Sequence, residues 1–264
     1  MLGLARPPRW GIVTIVALVL ANGVLLTYLF LRPAPVDPLA GRTPDPAAQT
    51  SVTTPPAPSS EPAGEPVEPA ATPVLAVYGD GYSTGSALGG QGATGWPALV
   101  AQQTGADLRL NAVSMAGYAS IGTTGQDFAD IATASPVPDA TVTVVFGSRN
   151  DLGEPLAAVT QGAATTFQAI RSAAPETQLV VVGPAWSNAD VPAELQTLRD
   201  AVRDAAEGAG AAFVDPLAEG WFSQPATLIA PDGISPTDAG HSFLASRIAP
   251  AVRQALPAAQ RAED

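Results

Sequence analysis

The chain has 264 residues, 46% of them hydrophobic, which is enough for one well-buried domain plus additional segments. It contains no cysteine, which removes disulfide staples, thiolate nucleophiles and cysteine-ligated zinc while leaving the redox compartment open. A formal net charge of -12 excludes a nucleic-acid surface, because neutralising phosphates needs clustered cations and every basic residue here is one of a sparse set of arginines.

The first predicted element is a membrane span. Gly11 to Leu31 runs for about 21 residues without a charge, which at about 1.5 Å per residue matches a hydrocarbon core of roughly 30 Å. Arg6 and Arg9 precede it, so the first-helix rule places residues 1–10 in the cytoplasm and the bulk of the chain outside the cell membrane. A cleaved signal peptide competes with this reading. The run is longer than an ordinary h-region and no A-x-A site closes it, which favours an uncleaved signal anchor over residues 11–31. Residues 32–73 are Pro, Ala, Thr, Ser and Glu with hardly a large apolar side chain. Such a segment cannot bury enough surface to offset its ordering entropy and reads as a disordered Pro-rich linker. Extended polyproline II would give it a reach of up to about 120 Å, suited to crossing a cell-wall layer.

From Val74 the pattern changes to β-branched runs alternating with Ala-rich stretches of helical spacing. Strands are expected at Val74–Tyr78, Leu108–Val113, Thr141–Phe146, Gln178–Val182 and Ala211–Val214, each read as buried on both faces. Helices are expected at Pro97–Thr104, Thr124–Ala134, Pro155–Ala173, Pro192–Glu207 and Asp238–Leu256. Strand then helix, repeated, predicts an α/β domain over residues 74–256 with a five-stranded parallel sheet covered on both sides, followed by a flexible tail at 257–264. In such sheets ligands sit beyond the carboxyl ends of the strands, so function is to be sought in the loops that follow them.

Those loops read Gly79-Asp80-Gly81-Tyr82-Ser83-Thr84-Gly85, Ser114-Met115-Ala116-Gly117 and Gly147-Ser148-Arg149-Asn150-Asp151, with Asp232-Gly233-Ile234-Ser235-Pro236 and His241 late in the chain. In this order and at these strand ends the segments resemble the blocks of the SGNH (GDSL-type) hydrolase family, over about residues 74 to 256. The resemblance implies a flavodoxin-like three-layer α/β/α fold and hydrolysis of acyl esters of lipids, carbohydrates or wall polymers, with no cofactor. It gives Gly117 and Asn150, with the Gly81 loop, the oxyanion-stabilising and ligand-binding positions, and Asp232 that of the acid orienting a histidine. Two positions depart: the nucleophile's place holds Gly81 and the histidine's place holds Ser235. The reaction needs an alcohol, an imidazole to take its proton and donors for the oxyanion, so the expectation is a catalytically deficient domain. Asp80 is expected to pin the loop after the first strand, and Asp232 to serve equally as a turn-capping acid.

One alternative keeps the chemistry. Gly81-Tyr82-Ser83-Thr84-Gly85 is a literal G-x-S-x-G, and Ser83, Asp215 or Asp232, and His241, the one histidine of the chain, follow in the order of an α/β-hydrolase triad, which would make an active esterase. Against it, a glycine-rich loop rather than a helix is expected after the motif, and loop hydroxyls usually bond nearby backbone. The spacing of Gly79, Gly81 and Gly85 also invites a dinucleotide site, but Asp80 would repel a pyrophosphate and the next helix starts too far on. The expected partners are the membrane, through the N-terminal helix, and a cell-wall glycan or acyl-ester ligand, with no metal; a purely structural or scaffolding domain is the remaining alternative. Trp96, Trp186 and Trp221 beside strand-end loops are read first as packing, and Arg149 as a residue that contacts an anion or pairs with Asp151.

Overall fold

Five short runs form five parallel strands, buried throughout in β3 and of mixed polarity in β2: β1 (Val74–Gly79), β2 (Asp107–Ala112), β3 (Val142–Phe146), β4 (Gln178–Val182) and β5 (Ala212–Val214). The computed structural model describes residues 71–260, residue 148 excepted. The strand order is β2-β1-β3-β4-β5, the flavodoxin-like order. Helices α1 (Gly81–Thr84), α2 (Trp96–Gln103), α3 (Phe128–Ala134), α4 (Leu156–Ala173), α5 (Ala193–Gly208) and α6 (Asp238–Ala255) connect and cover the strands.

Period-2 alternation divides each central strand between two cores. Leu75, Val77, Val142, Val144, Val180 and Val182 face α2 and α6 through Trp96, Val100, Leu244, Ile248 and Val252. Ala76, Tyr78, Val145, Leu179 and Val181 face α3, α4 and α5 through Phe128, Ile131, Val159, Phe167, Leu198 and Val202. Two helical layers therefore sandwich the sheet, and each fully buried Val, Leu or Phe contributes about 1.5–3 kcal/mol.

Strand and helix positions agree with the sequence reading to within a residue or two, with three differences. β2 and β5 are half-exposed rather than buried on both faces, because they lie at the two edges of the sheet. α3 begins at Phe128, not at residue 124, since the Asp127 side chain accepts the Asp130 N–H at 2.8 Å and caps the helix there. A short helix, α1, follows β1 directly where a loop was expected. At the domain's end Ala258–Gln260 forms a 3-10 turn, and Gln260 Nε2 donates to Ala71 O at 2.6 Å, so this part of the expected tail is ordered. The proposed membrane span, the linker up to residue 70 and residues 261–264 lie outside the described residues. Among the described residues no helix is long and apolar enough to cross a membrane.

Candidate active site

β1 lies between β2 and β3, so the chain leaves it toward one neighbour and returns on the other side, and a crevice opens between the diverging loops. A cavity of about 490 Å³ occupies this place, lined among others by Gly81, Ser114, Met115, Arg149, Asn150 and Ser235. Three of the four positions expected from sequence to form one site, 81, 150 and 235, therefore converge.

The floor is set by Asp80, which follows β1 and caps α1. Its Oδ1 accepts the Tyr82 N–H at 2.9 Å, and its Oδ2 accepts from Asn150 Nδ2 at 2.8 Å. These two bonds hold the loop between β1 and α1. Asn150 Nδ2 also donates to Ala116 O at 2.8 Å, which engages both amide hydrogens, so Asn150 lines the cavity without aiming a free donor into it. Gly81 leaves open space: a Cβ built there would meet only Ser114 Oγ, at 3.8 Å.

Gly117 corrects the sequence reading. It does not line the cavity, and its N–H donates to Ser120 O at 2.9 Å. A side chain there would overlap the Asp151 carboxylate, and this explains the glycine. Asp151 is fully buried and accepts the N–H groups of Tyr118, Ala119 and Ser120 at 2.9–3.0 Å, folding the loop around itself. The residue of this loop that reaches the cavity in a left-handed conformation is Met115, at φ 67. Sequence reasoning missed it, because a methionine carries no mark of a positive φ.

Asp232 sits in a reverse turn between Ile229 and Pro236, which form a bridge. Its Oδ1 accepts the N–H groups of Ile234 and Ser235 at 2.9 Å each, and its Oδ2 accepts Ser235 Oγ–H at 2.7 Å. The Ser235 hydroxyl first, and then the two N–H groups, hold this carboxyl below its usual range. Asp232 is therefore a turn-capping acid that grips the side chain of residue 235.

A family model described as GDSL-like lipase/acylhydrolase matches residues 77–243, more than half of the chain. GDSL lipase Rv0518 of Mycobacterium tuberculosis is 39% identical over 190 residues, covering 69% of this chain and 82% of that protein. The chain belongs to the GDSL-like lipase/acylhydrolase family, the SGNH hydrolases. Among solved structures, TesA superposes with a TM-score of 0.56 at 22% identity, covering 69% of this chain and 99% of TesA. A family 2 carbohydrate esterase with a carbohydrate-binding domain, from Corynascus thermopiles, gives 0.58 at 21% identity, covering 72% and 68%. These two likenesses carry the fold.

The family's chemistry requires an alcohol beside an imidazole, and the structure tests the alternative pair directly. Ser83 is buried inside α1, with its Oγ against Gly79 rather than toward the cavity, and without a hydrogen-bond partner. His241 is fully buried in α6; its Nδ1 accepts the Trp96 N–H at 3.3 Å, which places the neutral ring's proton on Nε2. Nε2 has no partner, so Ser83 and His241 do not form a hydrogen-bonded pair. The ring lies against Gly90, where a Cβ would overlap it. Asp215, the other acid considered for this pair, accepts instead from Arg199 at 2.7 Å.

Asp80 and His241 carry opposite pH signatures. Burial pushes the Asp80 carboxyl from 3.8 up to about 6, partly offset by the Tyr82 N–H, the Arg149 charge and the Asn150 amide. Burial lowers His241 from 6.5 to about 4, partly offset by Asp238. The raised carboxyl supplies stability that is present below 3.8 and lost as pH rises through about 6, whereas the lowered histidine supplies stability present above 6.5 and lost as pH falls through about 4. At about 1.36 kcal/mol per pH unit each amounts to roughly 3 kcal/mol, and between about pH 4 and 6 they oppose each other. His241→Asn keeps an acceptor for the Trp96 N–H but does not titrate. Between pH 7 and pH 4.5 its unfolding free energy, from urea titration, is expected to rise by roughly 2–3 kcal/mol relative to wild type. Parallel curves would remove the assignment to His241.

Proposed function

We propose that this chain is a membrane-tethered, extracytoplasmic SGNH hydrolase homologue that has lost ester hydrolysis and keeps its cavity as a binding site for an acyl or glycan ligand. The observation that carries this reading is the meeting of positions 81 and 235 at one cavity with a glycine in place of the alcohol and a serine in place of the imidazole. The arrangement of donors supports it further, since the Gly117 N–H and both amide hydrogens of Asn150 are engaged within the protein. In serine hydrolases the nucleophile and base act as a unit, and loss of either lowers the rate on the order of a million-fold. Tethering rests on the apolar run at residues 11–31 and the extended linker after it.

Full-length protein expressed in cells tests both parts in one preparation. The chain is expected to stay with membranes washed in alkaline carbonate and to take up no fluorophosphonate probe. Release into the wash would sink the anchor, and stoichiometric labelling abolished by Ser83→Ala would sink the loss of catalysis. A scaffolding role without a ligand is separated from this reading by the binding experiment below.

A further inference from the structure

Among the described residues Arg149 is the one cation lining the cavity, in a chain where acidic residues outnumber basic ones by 24 to 12. It nevertheless forms no ion pair within the described residues. Asp80 and Asp232 feel its charge, and Asp80 lines the same cavity, but both make their hydrogen bonds to other groups, Asp80 to Tyr82 and Asn150, and Asp232 to Ile234 and Ser235. The guanidinium is fixed by stacking, 5.0 Å from the Trp186 ring centre and 5.8 Å from that of Tyr82, and by donation from Nη1 to the Tyr82 hydroxyl at 3.1 Å. That bond uses one of its five N–H donors, and none of its nitrogens is among the buried polar atoms without a partner. A partly buried cation held by aromatic faces, with donors to spare and no carboxylate partner, is a preformed oxyanion receptor.

One wall of the cavity is apolar, while Asp80, Ser86, Ser114, Asn150 and Ser235 line the remainder. Met115 and Ile234 line it while 65% and 49% exposed, and Leu152 and Trp186 continue the apolar wall. A ligand with an apolar chain seated in the cavity would cover both Met115 and Ile234. We propose that the cavity binds a carboxylate carried on a short acyl chain, with Arg149 taking the head group and Met115 and Ile234 covering the chain. This rests on the reading of the cavity as a binding site. It also names a ligand that a hydrolase would avoid, because a carboxylic acid is what ester cleavage releases, and a guanidinium in the site would retain it.

Isothermal titration of the full-length protein in a nonionic detergent with octanoate, octanol and octylamine tests this. Octanoate is expected to bind with a stoichiometry of one, roughly ten- to a hundredfold more tightly than octanol, and octylamine more weakly than either. Arg149→Gln should bring octanoate down to the octanol level, and Arg149→Lys should keep part of the difference. Equal affinity for octanoate and octanol in the wild type, or an unchanged octanoate affinity in the glutamine variant, would overturn the proposal. The wild-type comparison of the three probes decides the matter if the variants do not fold. Failure of octanoate binding in protein that also resists fluorophosphonate overturns the carboxylate receptor alone, whereas labelling at Ser83 overturns the loss of hydrolysis on which it stands.

Discussion

Gly81→Ser combined with Ser235→His is expected to turn this protein into a slow esterase, about a thousandfold faster than its parent on 4-nitrophenyl acetate. A serine fits at position 81, where the nearest group to a Cβ is Ser114 Oγ at 3.8 Å and the backbone needs no left-handed conformation. A histidine at position 235 would find its orienting acid in place, since Asp232 already accepts from the side chain of residue 235 at 2.7 Å. A complete nucleophile and base contribute about a million-fold, and loss of the oxyanion hole as a whole, whose donors are not additive, removes about a thousandfold of it. With the Gly117 and Asn150 donors engaged elsewhere, a thousandfold gain is what remains. The single variants should each stay at the parent level, because neither an alcohol without a base nor a base without an alcohol forms the acyl intermediate. A double variant that folds but matches its parent would show that positions 81 and 235 do not correspond to the family's nucleophile and histidine.

Asp151→Ala is expected to lower the unfolding free energy by about 4–5 kcal/mol. Its carboxylate is fully buried and collects three backbone N–H groups, and Ala in its place leaves those donors without an acceptor. Asp151→Asn retains one acceptor oxygen, so a loss of about 2 kcal/mol is expected, between Ala and wild type. Urea denaturation measures the order. A loss below about 1 kcal/mol for Asp151→Ala would mean that the loop from Tyr118 to Ser120 does not depend on this acid. The same contact binds the loop after β2 to the loop after β3, joining two walls of the cavity.

The sheet was legible because burial and periodicity are averaged over many residues: Val142–Phe146 has no other reading than a buried strand. The edges were less so, since β2 carries Asp107, Arg109 and Asn111 and its exposure depends on which strands flank it, a property of topology rather than of its own residues. The site was legible in its location, since positions 81, 150 and 235, named from residue identity, line one cavity. It was not legible where direction decides. A serine in G-x-S-x-G reads alike whether its hydroxyl faces solvent or, as Ser83 does, Gly79. A glycine reads alike whether its N–H is offered to a ligand or, as at Gly117, bonded to Ser120 O. Arg149 was left between an anion and Asp151 as partners. The structure gives Asp151 to backbone N–H groups and leaves the arginine facing the cavity.

The clasp between Gln260 and Ala71 fixes where the polypeptide enters and leaves the domain: both lie at the amino pole of the sheet, just ahead of Val74. The cavity opens beyond the carboxyl pole, one strand away, or roughly 20 Å for six residues. Anything grafted before residue 71, whether a bead, a fluorescent protein or a bilayer, is therefore joined to the side remote from the mouth.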